Sequence, residues 1–189
     1  MPKKFKAIVI DNQNEKFTRE VKELSTDDLK DGSVLVKIDY SSLNFKDALI
    51  LNNGGRIVRK YPFVPGIDFS GIVEESEDNK FKKKDKVILT GFRVGEMYFG
   101  GFSQYAKVNS DFLVKIPNDL DSLKVMKMGT AGLTALLCAF AVKAKEELLM
   151  GSKVKDVLVT GATGGVGSFA VMALSKMGYD VHAVTGKKE

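Results

Sequence analysis

The run Val157-Leu158-Val159-Thr160-Gly161-Ala162-Thr163-Gly164-Gly165-Val166-Gly167, continuing into the helix-forming segment Ser168 to Met177, decides how this chain is read. A short β-branched strand enters a glycine-dense turn and a helix leaves it. Glycines allow a tight turn and close backbone approach to a ligand. The helix N-terminus then offers free N–H groups and a partial positive charge to phosphates. The order strand, glycine turn, helix therefore predicts a pyrophosphate cradle, a dinucleotide cofactor and redox chemistry.

The motif is Ala162-x-Gly164-x-x-Gly167, a GxGxxG with alanine first. Alone it is weak, but a strand precedes it, a helix follows, and Val181-His182-Ala183-Val184 supplies the second strand of a βαβ unit. The competing reading is a glycine-rich turn that binds nothing. NAD sites place a carboxylate about twenty residues on, at the ribose 2′-hydroxyl. Here the second strand is followed by Thr185-Gly186-Lys187-Lys188, with no acid before Glu189. A hydroxyl, a glycine and two lysines suit a 2′-phosphate, so NADPH is expected over NADH. Solvated loop lysines are the alternative.

Composition bounds the rest. The 189 residues fit one large domain or two small ones, and 44% hydrophobic content is ordinary for a globular chain. The net charge is +5. The lysine-rich run from Lys80 to Lys86 has only Phe81 among its charges, so it reads as a solvated turn and no nucleic-acid partner is expected. With one cysteine, Cys138, no disulfide can form within the chain. The opening Met1-Pro2-Lys3-Lys4 has no signal-peptide pattern. The longest apolar stretch, Gly132 to Val142, is too short to span a bilayer and reads as a buried helix. A soluble cytoplasmic protein is expected, with no membrane partner.

The first part is strand-rich: Phe5 to Ile10, Phe17 to Leu24, Val34 to Tyr40, Phe69 to Glu74, Val87 to Thr90, Phe102 to Val108 and Leu113 to Ile116. Such spacing suggests a small barrel or sandwich. Polar turns at 11–14 and 30–33, and loops at Gly54-Gly55 and Gly100-Gly101, separate the strands. After Pro117, Leu120 to Met128 and Thr130 to Leu149 look helical, and Gly151-Ser152 leads to the βαβ unit. The boundary is placed near residue 122, giving 1–122 and 123–189. A complete dinucleotide fold uses six parallel strands. The chain supplies two, so the doubly wound sheet is expected to be incomplete at its C-terminus, the chain a fragment and, alone, inactive.

Four blocks, in order, carry a family resemblance: Ser41-Ser42-Leu43-Asn44-Phe45-Lys46-Asp47-Ala48-Leu49, Pro65-Gly66-Ile67-Asp68-Phe69-Ser70-Gly71, Gly129-Thr130-Ala131-Gly132-Leu133-Thr134-Ala135 and Val159 to Gly167. The chain resembles the zinc-free quinone oxidoreductase branch of the medium-chain dehydrogenase/reductase superfamily. Within that branch it is similar to bacterial acryloyl-CoA reductases and quinone oxidoreductases. The resemblance implies an α/β fold with a mainly-β GroES-like catalytic domain, then the start of a Rossmann domain. It also implies an active site in the cleft between them, NADPH, a small-molecule substrate and a homodimer.

Zinc relatives of this family have a cysteine where Asn44 stands and His-Glu where Ile67-Asp68 stands. With one Cys and one His in the chain, no ordinary zinc site can be assembled and no metal is expected. Zinc-free hydride transfer suits a conjugated acceptor, an enoyl thioester or a quinone, whose oxyanion hydrogen bonds can stabilise. On the resemblance, Asn44 and Asp68 are the catalytic pair: Asn44 to donate to the oxyanion, Asp68 to orient Asn44 or relay a proton. The alternative is that Asn44 only caps the helix starting near Phe45 and Asp68 ties down a turn. Phe45, often tyrosine in the family, is expected to stack on the cofactor, or else to be a core aromatic. Thr163, Gly164, Gly165 and Val166 match the pyrophosphate contacts, and Thr185, Gly186 and Lys187 the 2′-phosphate loop. His182 is read as structural and Cys138 as packed. Met126, Met128, Met150, Met172 and Met177 are read as core filler. A non-catalytic NADPH-binding sensor or structural protein is the second hypothesis.

Overall fold

A computed structural model describes residues 2–13, 16–30, 32–53, 57–148 and 155–187. The turn residues Asn14 and Asp31, the loops at Gly54-Gly55 and Gly151-Ser152, and Leu149, Met150 and Lys188 lie outside the described residues. The chain divides into two compact units, 1–130 and 131–189.

In the first unit, β1 (Lys4–Gln13) and β2 (Lys16–Ser25) form an antiparallel hairpin. A five-stranded antiparallel sheet follows, built from β3 (Val34–Tyr40), β4 (Asp68–Ser76), β5 (Lys86–Thr90), β6 (Tyr105–Val108) and β7 (Val114–Lys115), in the order β6-β3-β4-β5-β7. Isolated bridges Ala7↔Ser103 and Ile10↔Phe63 tie the hairpin to the rest. Period-two alternation explains the core: Val34 and Val36, Phe69 and Val73, Val87 and Leu89, and Ala106 and Val108 all point inward and pack together. Burial of each larger side chain contributes roughly 1.5–3 kcal/mol. The short helix α1 (Phe45–Leu51) lies between β3 and β4 in sequence.

The helix α2 (Ser122–Leu148) opens on this unit. The Ser70 hydroxyl donates to the Ser122 carbonyl at 2.9 Å, and the Ser122 hydroxyl to Asp39 at 2.9 Å. The helix breaks at Gly129 (φ 49°, ψ −152°), dividing it into the two helical segments the sequence suggested. A Cβ there would lie 2.9 Å from Ser42 Oγ and 3.1 Å from Asp68 Oδ2, so both conformation and space call for glycine.

The second unit pairs β8 (Asp156–Thr160) in parallel with β9 (Asp180–Val184), with α3 (Gly165–Lys176) between them in sequence. Ala135 and Ala139 of α2 pack with Val159, Ala162, Ala170 and Leu174. Helix α3 begins at Gly165, three residues ahead of the expected Ser168, because Gly164 already has the extended conformation of a helix cap.

Three expectations about packing are corrected. The stretch 132–142 is only half buried: Ala135 and Ala139 are enclosed, whereas Leu133, Leu137 and Phe140, on another face at helical spacing, are exposed. Cys138 is exposed rather than packed, for the same reason. Of the methionines, Met126 is core, but Met128, Met172 and Met177 are exposed. Among the described residues α2 is the one helix long and apolar enough to cross a membrane, because it extends beyond the apolar run at both ends.

Candidate active site

The centre of the first unit's polar chemistry is Asp68, the first residue of β4, with no solvent exposure. A buried carboxylate must be matched by donors. Oδ1 accepts from the Ser42 N–H at 3.0 Å and faces the Ser42 hydroxyl at 2.8 Å. Oδ2 accepts from Asn44 Nδ2 at 3.0 Å, the Thr130 N–H at 2.9 Å and the Thr130 hydroxyl at 2.7 Å. Five donors from three residues on two chain segments thus converge on one side chain. The turn at Gly129 aims the first N–H of the following helical segment at the carboxylate.

Asn44 is the N-cap residue of α1, as the capping alternative held, yet its amide nitrogen turns to Asp68 and, at 3.1 Å, to Ser42 Oγ. An ionised Asp68 can only accept, which fixes nitrogen rather than oxygen toward it. Its neighbour Phe45 is 80% exposed and Leu43 is 73% exposed, so packing in the core is not what Phe45 does.

Asp47, also without exposure, is a residue the sequence reading gave no role. Its two oxygens accept from the Asn44 N–H and the Ile67 N–H, each at 2.9 Å. This ties the start of α1 to the residue just before Asp68. Burial pushes the Asp47 carboxyl up, the two backbone hydrogen bonds oppose this, and the nearby Asp68 charge adds to the rise. The spacing Asn44-x-x-Asp47 is that of a capping box and could have revealed it. Ser42 and Thr130 carry no sequence signal for this role, since nothing local links them to Asp68.

In the second unit the turn from β8 reaches α3 through Gly161 (φ 60°), Ala162, Thr163 and Gly164. A Cβ on Gly167 would lie 2.2 Å from the Gly161 carbonyl oxygen, so only glycine lets the helix sit this close over the turn. No side chain caps α3. Its first-turn N–H groups, at Gly165, Val166 and Gly167, have no acceptor within the helix and suit a diphosphate. Thr163, Gly164, Gly165 and Val166 are all exposed, as are Thr185, Gly186 and Lys187. The Thr163 and Thr185 hydroxyls lie 3.1 Å apart, and Thr185 Oγ1 accepts from the Lys187 N–H at 3.1 Å. The two expected cofactor-binding segments thus meet. His182, exposed on β9, has Nε2 2.8 Å from Asp156 Oδ1. Among the described residues no group of three or more His, Cys, Asp or Glu side chains could hold a metal.

Residues 30–118 match the alcohol dehydrogenase GroES-like domain. An acrylyl-CoA reductase of Ruegeria pomeroyi is 51% identical over 187 residues, covering 98% of this chain and 56% of the relative. The chain belongs to the medium-chain dehydrogenase/reductase superfamily. The structure of an oxidoreductase from Salmonella enterica in complex with NADP superposes with a TM-score of 0.89 at 44% identity, covering 97% of this chain and 56% of the other. A Bacillus subtilis protein with NAD bound gives a TM-score of 0.87 at 42% identity, covering 98% of this chain and 56% of the other. The fold is thus α/β, a mainly-β GroES-like domain followed by the opening βαβ unit of a Rossmann sheet. The chain spans about half the length of the relatives it matches.

Proposed function

We propose that the protein is an NADPH-dependent, zinc-free reductase acting on a conjugated acceptor, an acryloyl-CoA-like enoyl thioester or a quinone. The observation that carries this reading is the closed hydrogen-bond network around Asp68, which fixes an amide, Asn44, at a position where zinc relatives have a ligand. The cofactor fits the residues present: an uncapped helix start, a glycine with no room for a Cβ, and two exposed hydroxyls. When bound, NADPH supplies a hydride to the acceptor's β-carbon. Thr163 to Val166 hold the diphosphate, and Thr185, Gly186 and Lys187 receive the 2′-phosphate. Phe45 offers its exposed ring for stacking.

Asn44 meets the oxyanion that develops on the acceptor. One of its N–H groups is held by Asp68. The other rests on Ser42 Oγ at 3.1 Å, a neutral hydroxyl already turned toward Asp68. An oxyanion is the stronger acceptor and takes that N–H over. Asp68, saturated by donors, acts as a positioning residue rather than a proton relay, and the proton that completes the reduction comes from elsewhere. Residues 1–122 form the catalytic domain and 123–189 the cofactor-binding part of a cytoplasmic homodimer.

The test is NADPH oxidation by the whole protein against acryloyl-CoA, crotonyl-CoA and a quinone panel, with Kd for NADPH and NADH. Turnover on a conjugated acceptor and at least about tenfold tighter NADPH binding are expected, the latter about 1.4 kcal/mol. Equal Kd values refute the cofactor assignment. Cofactor binding without turnover on any acceptor points to a non-catalytic binding protein. Asn44→Ala lowers kcat with cofactor Kd little changed; an unaltered kcat removes Asn44 from the chemistry.

A further inference from the structure

A pocket of about 330 Å³ opens on the first unit, lined by none of the residues so far assigned. Its apolar lining is Ile57, Phe63 and Met97. Phe63 is held by an edge-on contact with Phe99, ring centres 5.5 Å apart. Its charged lining is Arg59, Lys60, Arg93 and a single carboxylate, Glu96. That carboxylate is neutralised from outside by Lys46 at 2.8 Å and faces Arg93 Nε at 4.0 Å. Among the described residues Arg59 and Lys60 make no ion pair, so the pocket has a cationic surplus.

The loop that delivers Arg93 is strained. Phe92 (φ 52°) and Arg93 (φ 62°) are consecutive non-glycine residues in the left-handed region, each costing of order 1 kcal/mol or more. They are kept there by Phe92 stacking on Phe112, centroids 4.8 Å apart, and by the Met97 N–H donating to the Arg93 carbonyl at 2.9 Å. This loop carries Arg93 to the pocket lining, where its guanidinium can pair with a phosphate.

We propose, building on the reductase reading, that this pocket takes the phosphorylated nucleotide tail of a coenzyme A-type thioester. The size suits one nucleotide. The cations match phosphates, and the apolar lining matches a base or the pantetheine methyls. The reach is also right. Lys46, which grips Glu96 at the pocket, is two residues from Asn44, so the pocket wall lies within about 15 Å of the Asn44 backbone by chain and side-chain lengths. A pantetheine arm, thirteen bonds from sulfur to the first phosphorus, spans about 16 Å extended. A quinone has no group for this pocket, so the site selects the thioester of the two acceptor classes.

The experiment uses the whole protein saturated with NADP, so that coenzyme A cannot enter the cofactor site unnoticed. Unacylated coenzyme A is titrated calorimetrically into the wild type, the double variant Arg59→Glu/Lys60→Glu, and Arg93→Glu. In parallel, kcat/KM is measured for acryloyl-CoA and for the acryloyl thioester of N-acetylcysteamine, which keeps the reacting end and lacks the nucleotide. The expected result is a loss of at least about tenfold in coenzyme A affinity in each variant. The ratio of the two kcat/KM values should fall by a similar factor. Arg59 and Lys60 are exposed, so the double variant keeps the fold, and a matching thermal melt checks this. A Kd and a ratio both within about twofold of wild type overturn the pocket assignment while leaving the reductase reading intact. Weakened coenzyme A binding in a protein that reduces no acceptor keeps the pocket and sinks the reductase reading.

Discussion

Replacing Asp68 tests the central geometry, and two substitutions separate its parts. In Asp68→Ala the N–H groups of Ser42, Thr130 and Asn44 lose their acceptor together. The hydroxyls of Ser42 and Thr130 and the side-chain amide of Asn44 can rotate elsewhere, but the backbone N–H groups of Ser42 and Thr130 cannot. Each orphaned donor costs about 1–3 kcal/mol, and water entering the vacated space recovers part of it, so the net loss is about 2–4 kcal/mol. Asp68→Asn keeps the volume. Its oxygen is best placed at the Oδ2 position, where it serves Asn44 and Thr130. The amide nitrogen then faces the Ser42 N–H, and one fixed donor is stranded instead of two. The expected cost is about 1–3 kcal/mol. Equilibrium urea unfolding followed by circular dichroism measures both. With a slope of about 1–3 kcal/mol/M, the alanine variant's midpoint falls by about 1–4 M, and the asparagine variant falls between it and wild type. If both variants unfold within about 0.5 kcal/mol of wild type, the carboxylate is not the hub described, and the orientation of Asn44 rests on something else.

Gly167→Ala drives a methyl into the Gly161 carbonyl, whereas Gly164→Ala meets its nearest atom at 3.3 Å. The first should cost about 2 kcal/mol or more and weaken NADPH binding, the second much less; equal melting temperatures would contradict the close-packed turn. Asp47 has its carboxyl raised above 3.8, chiefly by burial. Folding therefore favours its protonated form, and this contribution to stability declines as pH climbs from about 3.8 through the raised folded value. Asp47→Asn does not titrate, so the stability advantage of wild type over the variant should narrow across that window. A difference that stays flat with pH would refute the assignment.

Much of the fold was legible because its signals are local. Short β-branched and aromatic runs between polar turns marked the strands of the first unit. The glycine spacing from Gly161 to Gly167 marked the turn, and Gly129 marked the break between two helical segments. These patterns reflect steric rules that act over a few residues. The clasp on Asp68 was not legible in that way. Its partners lie 24 to 62 residues away, and no local rule brings Ser42, Asn44 and Thr130 to one carboxylate. Resemblance named Asn44 and Asp68 together, but their contact, the direction of the Asn44 amide and the anchoring role of Asp47 come from tertiary packing.

Solvent exposure was decided the same way. Leu137 and Cys138 sit in an apolar run that reads as core, yet both face outward, because hydrophobicity tells that a surface needs covering and only the assembled elements determine which surface is covered. The strained arginine at position 93 belongs with them. Its sequence is unremarkable, and its backbone conformation is set by a ring stacked from a distant segment. The sequence by itself determined the elements and the phosphate-binding turn, since covalent geometry and spacing govern those. Tertiary structure alone decided which polar groups meet, since buried charges and donors find their partners only when separate segments close on one another.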